Sequence, residues 1–320
     1  MTSDPWDEIR PDRKGFTWLA SDSGLRRRCL FGKSHEGTLA FLFENGANNA
    51  DVFSTRPSLS GLQLDYQSFP ASSGFGLILI LQNTSDRDIF LLLCRDLEKT
   101  ASGAENERQA CKSVLKRLER WQKLLSRKAS GLLSIEQIRG LVAELVVMKW
   151  LSDEAVIAHR RLLGYWEGPC HAAKDFRLSH ADIEVKAASG TGSRTIRIAS
   201  AEQLQRDGNP LFLSVVPLIE NDEAQESISL NELVQVLSGR FENTALDLFE
   251  EKLAEVGYLS LPAYDGPRFL VQEIQWLSVS PGFPALTSEN VPEAISRVRY
   301  EIDTAQLSDF EIEFTTDMIR

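Results

Sequence analysis

Cysteine is scarce: Cys29, Cys94, Cys111 and Cys170 are scattered through 320 residues with no CxxC pair. That spacing gives neither a cysteine zinc site nor a disulfide framework. Cys94, in an apolar run, and Cys111, on an apolar helical face, read as buried free thiols. No run approaches the roughly 18 apolar residues of a membrane helix. The start, MTSDPWDEIRPDRKGF, lacks the basic-then-apolar order of a secretory leader, so a cytoplasmic location without a membrane partner is the expectation. His159, His171 and His180 lack the HExxH spacing of zinc enzymes and read as loop residues. The SGTGS run (residues 189–193) has no lysine in a P-loop position, so ATP use is not indicated. Positive charge is in deficit, with 35 Lys and Arg against 46 Asp and Glu and a net charge of −11. This argues against a surface coated with nucleic-acid contacts but leaves room for a local basic strip.

What is present is enough apolar residue, 42% of the chain, for one large core or two smaller ones. Residues 1–35 read as an arm or short elements. From Gly37 to Asp96 the runs GTLAFLFE, GLQLDYQ, FGLILILQ and DIFLLLC, punctuated by Gly, Pro, Asn, Asp and Ser, predict a small antiparallel β-domain. Residues 104–128 predict a helix with an apolar stripe from Cys111 to Leu125. Beside it runs a basic stripe of Lys112, Lys116, Arg120, Lys123 and Arg127. A solvated charged face accounts for that stripe; so does a face that tracks phosphates. The KASG stretch (residues 128–131) marks a boundary, giving a β-rich N-terminal domain over 1–128 that ends in the basic helix, and an α/β domain over 129–320.

In the second domain, Ser134-x-x-Gln137 is a capping box opening a helix to about Leu151. Glu144 lies at the edge of that helix's apolar face. A loop through Tyr165, Trp166, Gly168 and Pro169 leads to KDFRLSHADIEVKAAS (residues 174–189), on which the domain is organised. From Asp182 the alternation puts Asp182, Glu184 and Lys186 on one strand face and Ile183, Val185 and Ala187 on the other. Asp175 lies upstream, across a short turn through residues 178–181. TIRIAS (residues 195–200), a short helix from Ala201, the apolar strand LFLSVVPL, a capping box at Ser229–Glu232 and a helix over 243–256 follow. RFLVQEIQWLSVS and VRYEID predict further strands. The order is that of a mixed α/β core.

Phosphodiester hydrolysis needs a divalent cation to polarise the phosphoryl oxygen. Mg²⁺ takes oxygen ligands, using one or two carboxylates with water and phosphate. Asp175 and Glu184 offer the carboxylates and Val185 its backbone carbonyl. Lys186 projects beside Glu184, where an ammonium can reach the scissile phosphate, and Glu144 can add a further carboxylate.

DFRLSHADIEVKAAS resembles the active-site signature of the PD-(D/E)XK nuclease superfamily, in which an aspartate opens one strand of a hairpin, Glu-x-Lys lies on the other, and the preceding helix often adds a glutamate. Asp175, Glu184, Lys186 and Glu144 match those positions. With GLVAEL (residues 140–145), TIRIASAEQL and PGFPAL, much of the chain is similar to an uncharacterised bacterial family named only for this motif and often associated with restriction and phage-defence genes. The resemblance implies a restriction-endonuclease-like core, a mixed central sheet flanked by helices, preceded by the β-rich domain. It implies an Mg²⁺-dependent DNA endonuclease, with Mn²⁺ as a substitute, in a restriction or phage-defence system. DNA, other subunits of that system and a second copy are the partners it suggests. The alternative is a catalytically inactive binding or assembly subunit on the same fold; a nuclease acting on RNA or modified DNA is a third option. Gln203 stands where some members of the superfamily place an active-site glutamine, and Arg194 is a loop residue able to touch DNA phosphate. Lys174 replaces the proline of the motif, and Asp182 is a rival for the first carboxylate.

Overall fold

The computed structural model describes residues 4–319, apart from 12–14, 22–28, 47–51, 53–56, 70–73, 126–131, 155–156, 171 and 191–194. Two compact units divide the chain, Met1–Leu132 and Leu133–Arg320. The KASG stretch, Arg127 and the domain boundary read at 128/129 lie outside the described residues.

In the first unit, Asp4 caps a one-turn helix α1 (Pro5–Glu8) by accepting from the Trp6 N–H. Five antiparallel strands follow: β1 (Phe16–Ala20), β2 (Cys29–Ser34), β3 (Leu39–Gly46), β4 (Leu62–Phe69) and β5 (Gly74–Leu81), in the order β1-β2-β3-β5-β4. The N-terminal segment is therefore part of the sheet and not an arm laid upon it. The strand expected at DIFLLLC is instead the start of a helix, α2 (Arg87–Ser102). A seven-residue apolar run does not declare its period; the residues after it do. Phe90, Leu93, Cys94, Leu97 and Ala101 are all buried at helical spacing, and Asn83 caps the 3-10 turn leading in, its side chain accepting from Ser85 N–H. Helix α3 (Glu107–Leu125) buries Cys111, Val114, Leu115, Leu118 and Trp121. Burial raises the Cys29 thiol to about 12 and lifts Cys94 well above the usual range, so both behave as inert core thiols.

The second unit opens with α4 (Ile135–Glu154), whose capping box is made in both directions between Ser134 and Gln137. After α5 (His159–Tyr165), a helix where a loop was expected, come β6 (Phe176–Arg177) and β7 (Asp182–Ser189). Then follow β8 (Thr195–Ile198), β9 (Leu211–Glu220), β10 (Ile228–Ser229), α6 (Leu230–Ser238), α7 (Asn243–Val256), β11 (Arg268–Val271), β12 (Gln275–Ser278) and β13 (Tyr300–Asp303). The main sheet runs β10-β11-β9-β7-β6, with β12 also on β9. Its one parallel pair is β7–β9, in register from Asp182↔Leu211 to Ser189↔Leu218. RFLVQEIQWLSVS is thus two strands, both antiparallel to β9. TIRIAS leaves the main sheet: among the described residues β8 pairs with β13 in a two-stranded ribbon. Ile196 and Ile198 of β8 join Leu213 and Val215 of β9, Leu277 and Ile302 in one buried apolar layer, so the ribbon covers the sheet. Arg139 ties α4 to the paired strands by donating to the carbonyls of Ala188 (3.1 Å) and Leu218 (2.9 Å). Trp150 of α4 packs against Trp276 and Phe314. Seven α-helices and several sheets among the described residues make a mixed α/β architecture consistent with a PD-(D/E)XK-like fold. No helix among them is long and apolar enough to cross a membrane.

Candidate active site

The site forms where β6 stops and β7 continues. The two strands pair only at Phe176↔Ile183 and Arg177↔Asp182, and the turn closes with Leu178 N–H on the Ala181 carbonyl at 2.8 Å. Among the described residues no strand pairs with this edge of β7 beyond Ile183. Asp175 takes the place of one: its Oδ2 accepts the Val185 N–H at 2.7 Å. In a strand, one residue's N–H and C=O face the same edge, so the Val185 carbonyl turns to the side of Asp175 as well.

Glu184 and Lys186 share the other face of the alternation, and their Oε1 and Nζ atoms stand 2.6 Å apart. In register they sit beside Leu213 and Val215 of β9, at the rim of the apolar layer under the sheet. That explains why Glu184 is only 1% exposed. Burial, reinforced by the Asp175 charge, pushes the Glu184 carboxyl up to about 8, with Lys186 pulling the other way. Its buried Oε1 is paired with the Lys186 ammonium. Burial also raises Asp175, opposed by Lys186 and by the Val185 N–H.

Glu144 comes from α4. Its Oε2 accepts the Trp166 indole N–H at 2.7 Å. Burial, then the Asp175 charge, lifts its carboxyl well above the usual range. Trp166 is fully buried, packs on Phe249 of α7, and its carbonyl accepts from Lys252 of the same helix. Gly168 lies against both acids. A Cβ there would overlap Glu144 Oε2 and come within 3.1 Å of Asp175 Oδ1, so the absence of a side chain is what lets the two carboxylates approach one another.

Lys174, in the motif's proline position, is fully buried. Its ammonium donates to the carbonyls of Glu202 and of Gln203 (3.0 Å), pinning the 3-10 turn Ala201–Leu204 to the bend that carries Asp175 just before β6. Burial lowers its pKa. Asp182, the rival carboxylate, is 4% exposed and accepts from Asn209 Nδ2 at 3.4 Å. The Gln203 Oε1 accepts the Ala199 N–H at 2.7 Å and closes its own turn. Lys112, Lys116 and Lys123 are exposed on α3, and Arg120 is half-buried. Arg194 and His171 lie outside the described residues. His159 is the first residue of α5, packed edge-on against Phe241, and His180 is exposed in the hairpin turn. Sequence reading did not find Trp166 as the partner of Glu144, Gly168 as the close approach, or Lys174 as a buried tether. Only the tryptophan-to-glycine order in WEGP hinted at a fixed loop.

Among the described residues no three His, Cys, Asp or Glu side chains form a ready-made metal cage. Mg²⁺ does not require one, since it binds through one or two carboxylates and fills its remaining positions with water and phosphate. The buried Glu184 carboxylate and the glycine that lets Glu144 and Asp175 come close beside it offer oxygen donors of the kind such a cation takes.

The carboxyl shifts fix the sign of a pH effect. An acid whose pKa is higher folded than unfolded binds more protons in the folded state, so stability falls as pH rises between the two values. For Glu184 the window runs from its ordinary value of 4.5 to about 8. In chelator, the denaturation midpoint of the wild type should fall across this window, and Glu184→Gln should flatten the decline. A midpoint that rises over the same interval in the wild type would contradict it.

A family model described as "Putative PD-(D/E)XK family member, (DUF4420)" matches residues 2–305. No curated protein and no solved structure gives a significant match. With nearly the whole chain covered, this protein belongs to that PD-(D/E)XK family.

Proposed function

We propose that the protein is an Mg²⁺-dependent DNA endonuclease of a restriction or phage-defence system. The observation that carries this reading is the Asp175 carboxylate hydrogen-bonded to the N–H of Val185, between Glu184 and Lys186 in sequence, at an open strand edge. Asp175, Glu184 and the Val185 carbonyl would hold Mg²⁺ or Mn²⁺, which would supply Lewis-acid polarisation of the phosphoryl oxygen. Lys186 directs its ammonium to the negative charge that grows on the phosphoryl oxygens during in-line attack by water. Glu144, held by Trp166, orients water at the site's edge. The apolar layer beneath Glu184 keeps the local dielectric low, which strengthens each of these interactions. The basic face of α3 is offered as a DNA-tracking surface through Lys112, Lys116, Arg120 and Lys123. Gln203 and Arg194 are weaker candidates of the same kind, and a homodimer would provide the second strand cut.

The net charge of −11 favours a second reading, a non-catalytic binding or assembly subunit with the same fold. Cleavage of supercoiled plasmid decides between them. Nicking or linearisation that appears with Mg²⁺ or Mn²⁺, disappears in chelator and is lost in Asp175→Ala supports the nuclease. Activity that survives Asp175→Ala assigns the chemistry elsewhere. No cleavage of duplex DNA, modified DNA or RNA supports the binding role.

A further inference from the structure

Against the turn of the β6–β7 hairpin lies a cationic group that neither the family match nor the motif assigns. Arg161 of α5 is exposed. Its Nη2 donates to Ser179 Oγ at 3.0 Å, in the β6–β7 turn, and its Nε donates to the Tyr165 hydroxyl. Tyr165 and Ser179 share a further hydrogen bond of 2.6 Å, and the guanidinium carbon stands 5.5 Å from the centre of the Tyr165 ring. Among the described residues Arg161 has hydroxyl partners and no carboxylate in ion-pair range. Two hydroxyls and an aromatic face therefore hold the fork in one orientation while leaving its positive charge unneutralised. Arg177, on the same hairpin, shows the contrast: Glu167 (3.6 Å) and Asp207 (3.8 Å) flank it.

Chain connectivity sets the distance. Ser179 follows Asp175 by four residues, at most about 14 Å of extended chain. Tyr165 immediately precedes Trp166, the hydrogen-bond donor to Glu144. A single nucleic-acid strand advances about 3.4 Å of helix axis per phosphate, so a strand with one phosphodiester at the carboxylates brings another within reach of Arg161. Arginine presents two parallel N–H groups to phosphate oxygens, and a fork already fixed loses less entropy on binding. We infer that Arg161, oriented by Tyr165 and Ser179, is a docking point for a backbone phosphate of the DNA strand being cut, a few nucleotides from the scissile bond. This inference rests on the nuclease reading given above.

The test is binding of a short fluorescein-labelled duplex, followed by anisotropy in Ca²⁺ over a range of salt concentrations, for wild type, Arg161→Ala and Arg161→Lys. Loss of one phosphate contact should lower the slope of log affinity against log salt by roughly 0.9. Arg161→Ala should show that decrease and bind about tenfold more weakly at low salt. Arg161→Lys should keep the slope while losing part of the affinity, because charge remains and the fork does not. Tyr165→Phe, which frees the guanidinium without removing it, should likewise keep the slope. A merely structural arginine would weaken binding without changing the slope. An unchanged slope in Arg161→Ala, with wild type binding normally, overturns the phosphate contact and leaves the nuclease reading standing. Failure of wild type to bind DNA under any salt overturns both.

Discussion

Lys186→Ala should lower Mg²⁺-dependent plasmid cleavage by about 10²–10³-fold, the loss expected when a preorganised charge-stabilising group is removed. The ammonium has two effects that the substitution separates. It lies 2.6 Å from Glu184 Oε1 and so favours the ionised carboxylate, and in the proposed reaction it meets the charge developing on phosphate. Without it, Glu184 loses a stabilising neighbour, yet the pocket also loses a positive charge that repels a divalent cation. Mn²⁺ affinity, followed by electron paramagnetic resonance, should therefore hold within about tenfold while single-turnover cleavage collapses. The side chain is 15% exposed, and the melting curve serves as the control for folding. Cleavage within tenfold of wild type would remove Lys186 from the chemistry.

The proposed site was legible where its determinants are local. Period-two alternation places Glu184 and Lys186 on one face, and the short turn before them requires a tight hairpin; both follow from neighbouring residues, and the closing bond from Leu178 to Ala181 realises the turn. The Ser134 and Ser229 capping boxes are equally local, and each is made in full. What sequence did not give depends on distant chain. Trp166 reaches Glu144 because Phe249 and Lys252 of α7 hold it there, and those residues lie more than eighty positions away in the chain. Lys174 looks like a departure from the motif until the turn at Ala201–Leu204 folds over it. The ribbon of β8 with β13 joins segments about a hundred residues apart, which no local pattern announces. DIFLLLC failed for a different reason. Its apolarity is uniform, so the helix is declared only by Leu97 and Ala101 further on.

Asp96→Ala should destabilise the first unit by about 3–5 kcal/mol, the cost of leaving a buried charge without its partner. Asp96 joins α2 to α3. Its Oδ1 accepts Arg117 Nη2 at 2.7 Å, and its Oδ2 accepts Arg117 Nε and Trp121 Nε1, the latter also at 2.7 Å. The side chains of Arg117 and Asp96 are 16% and 7% exposed, and Trp121 is fully buried. Alanine would strand a guanidinium and an indole N–H together, the first losing two charge-assisted hydrogen bonds and the second one. For a unit of this size the loss corresponds to a fall in melting temperature on the order of 10–20 °C. Chemical denaturation followed by tryptophan fluorescence measures it. The double substitution Asp96→Leu with Arg117→Met removes both charges and should recover much of the loss, because apolar packing of similar volume replaces a buried pair at little cost. If the single substitution costs under about 1 kcal/mol, the pair behaves as a solvated surface bridge and the burial argument fails. The consequence reaches the basic face: the buried stripe from Cys111 to Leu124 sets the outward side of α3, and Asp96, by holding Arg117 and Trp121, helps to lock the helix with Lys112, Lys116 and Lys123 exposed. If the α3 face tracks DNA as proposed, Asp96→Ala should weaken salt-sensitive DNA binding as well as folding, whereas the double substitution should restore folding and, with it, the binding proposed for the outward lysines.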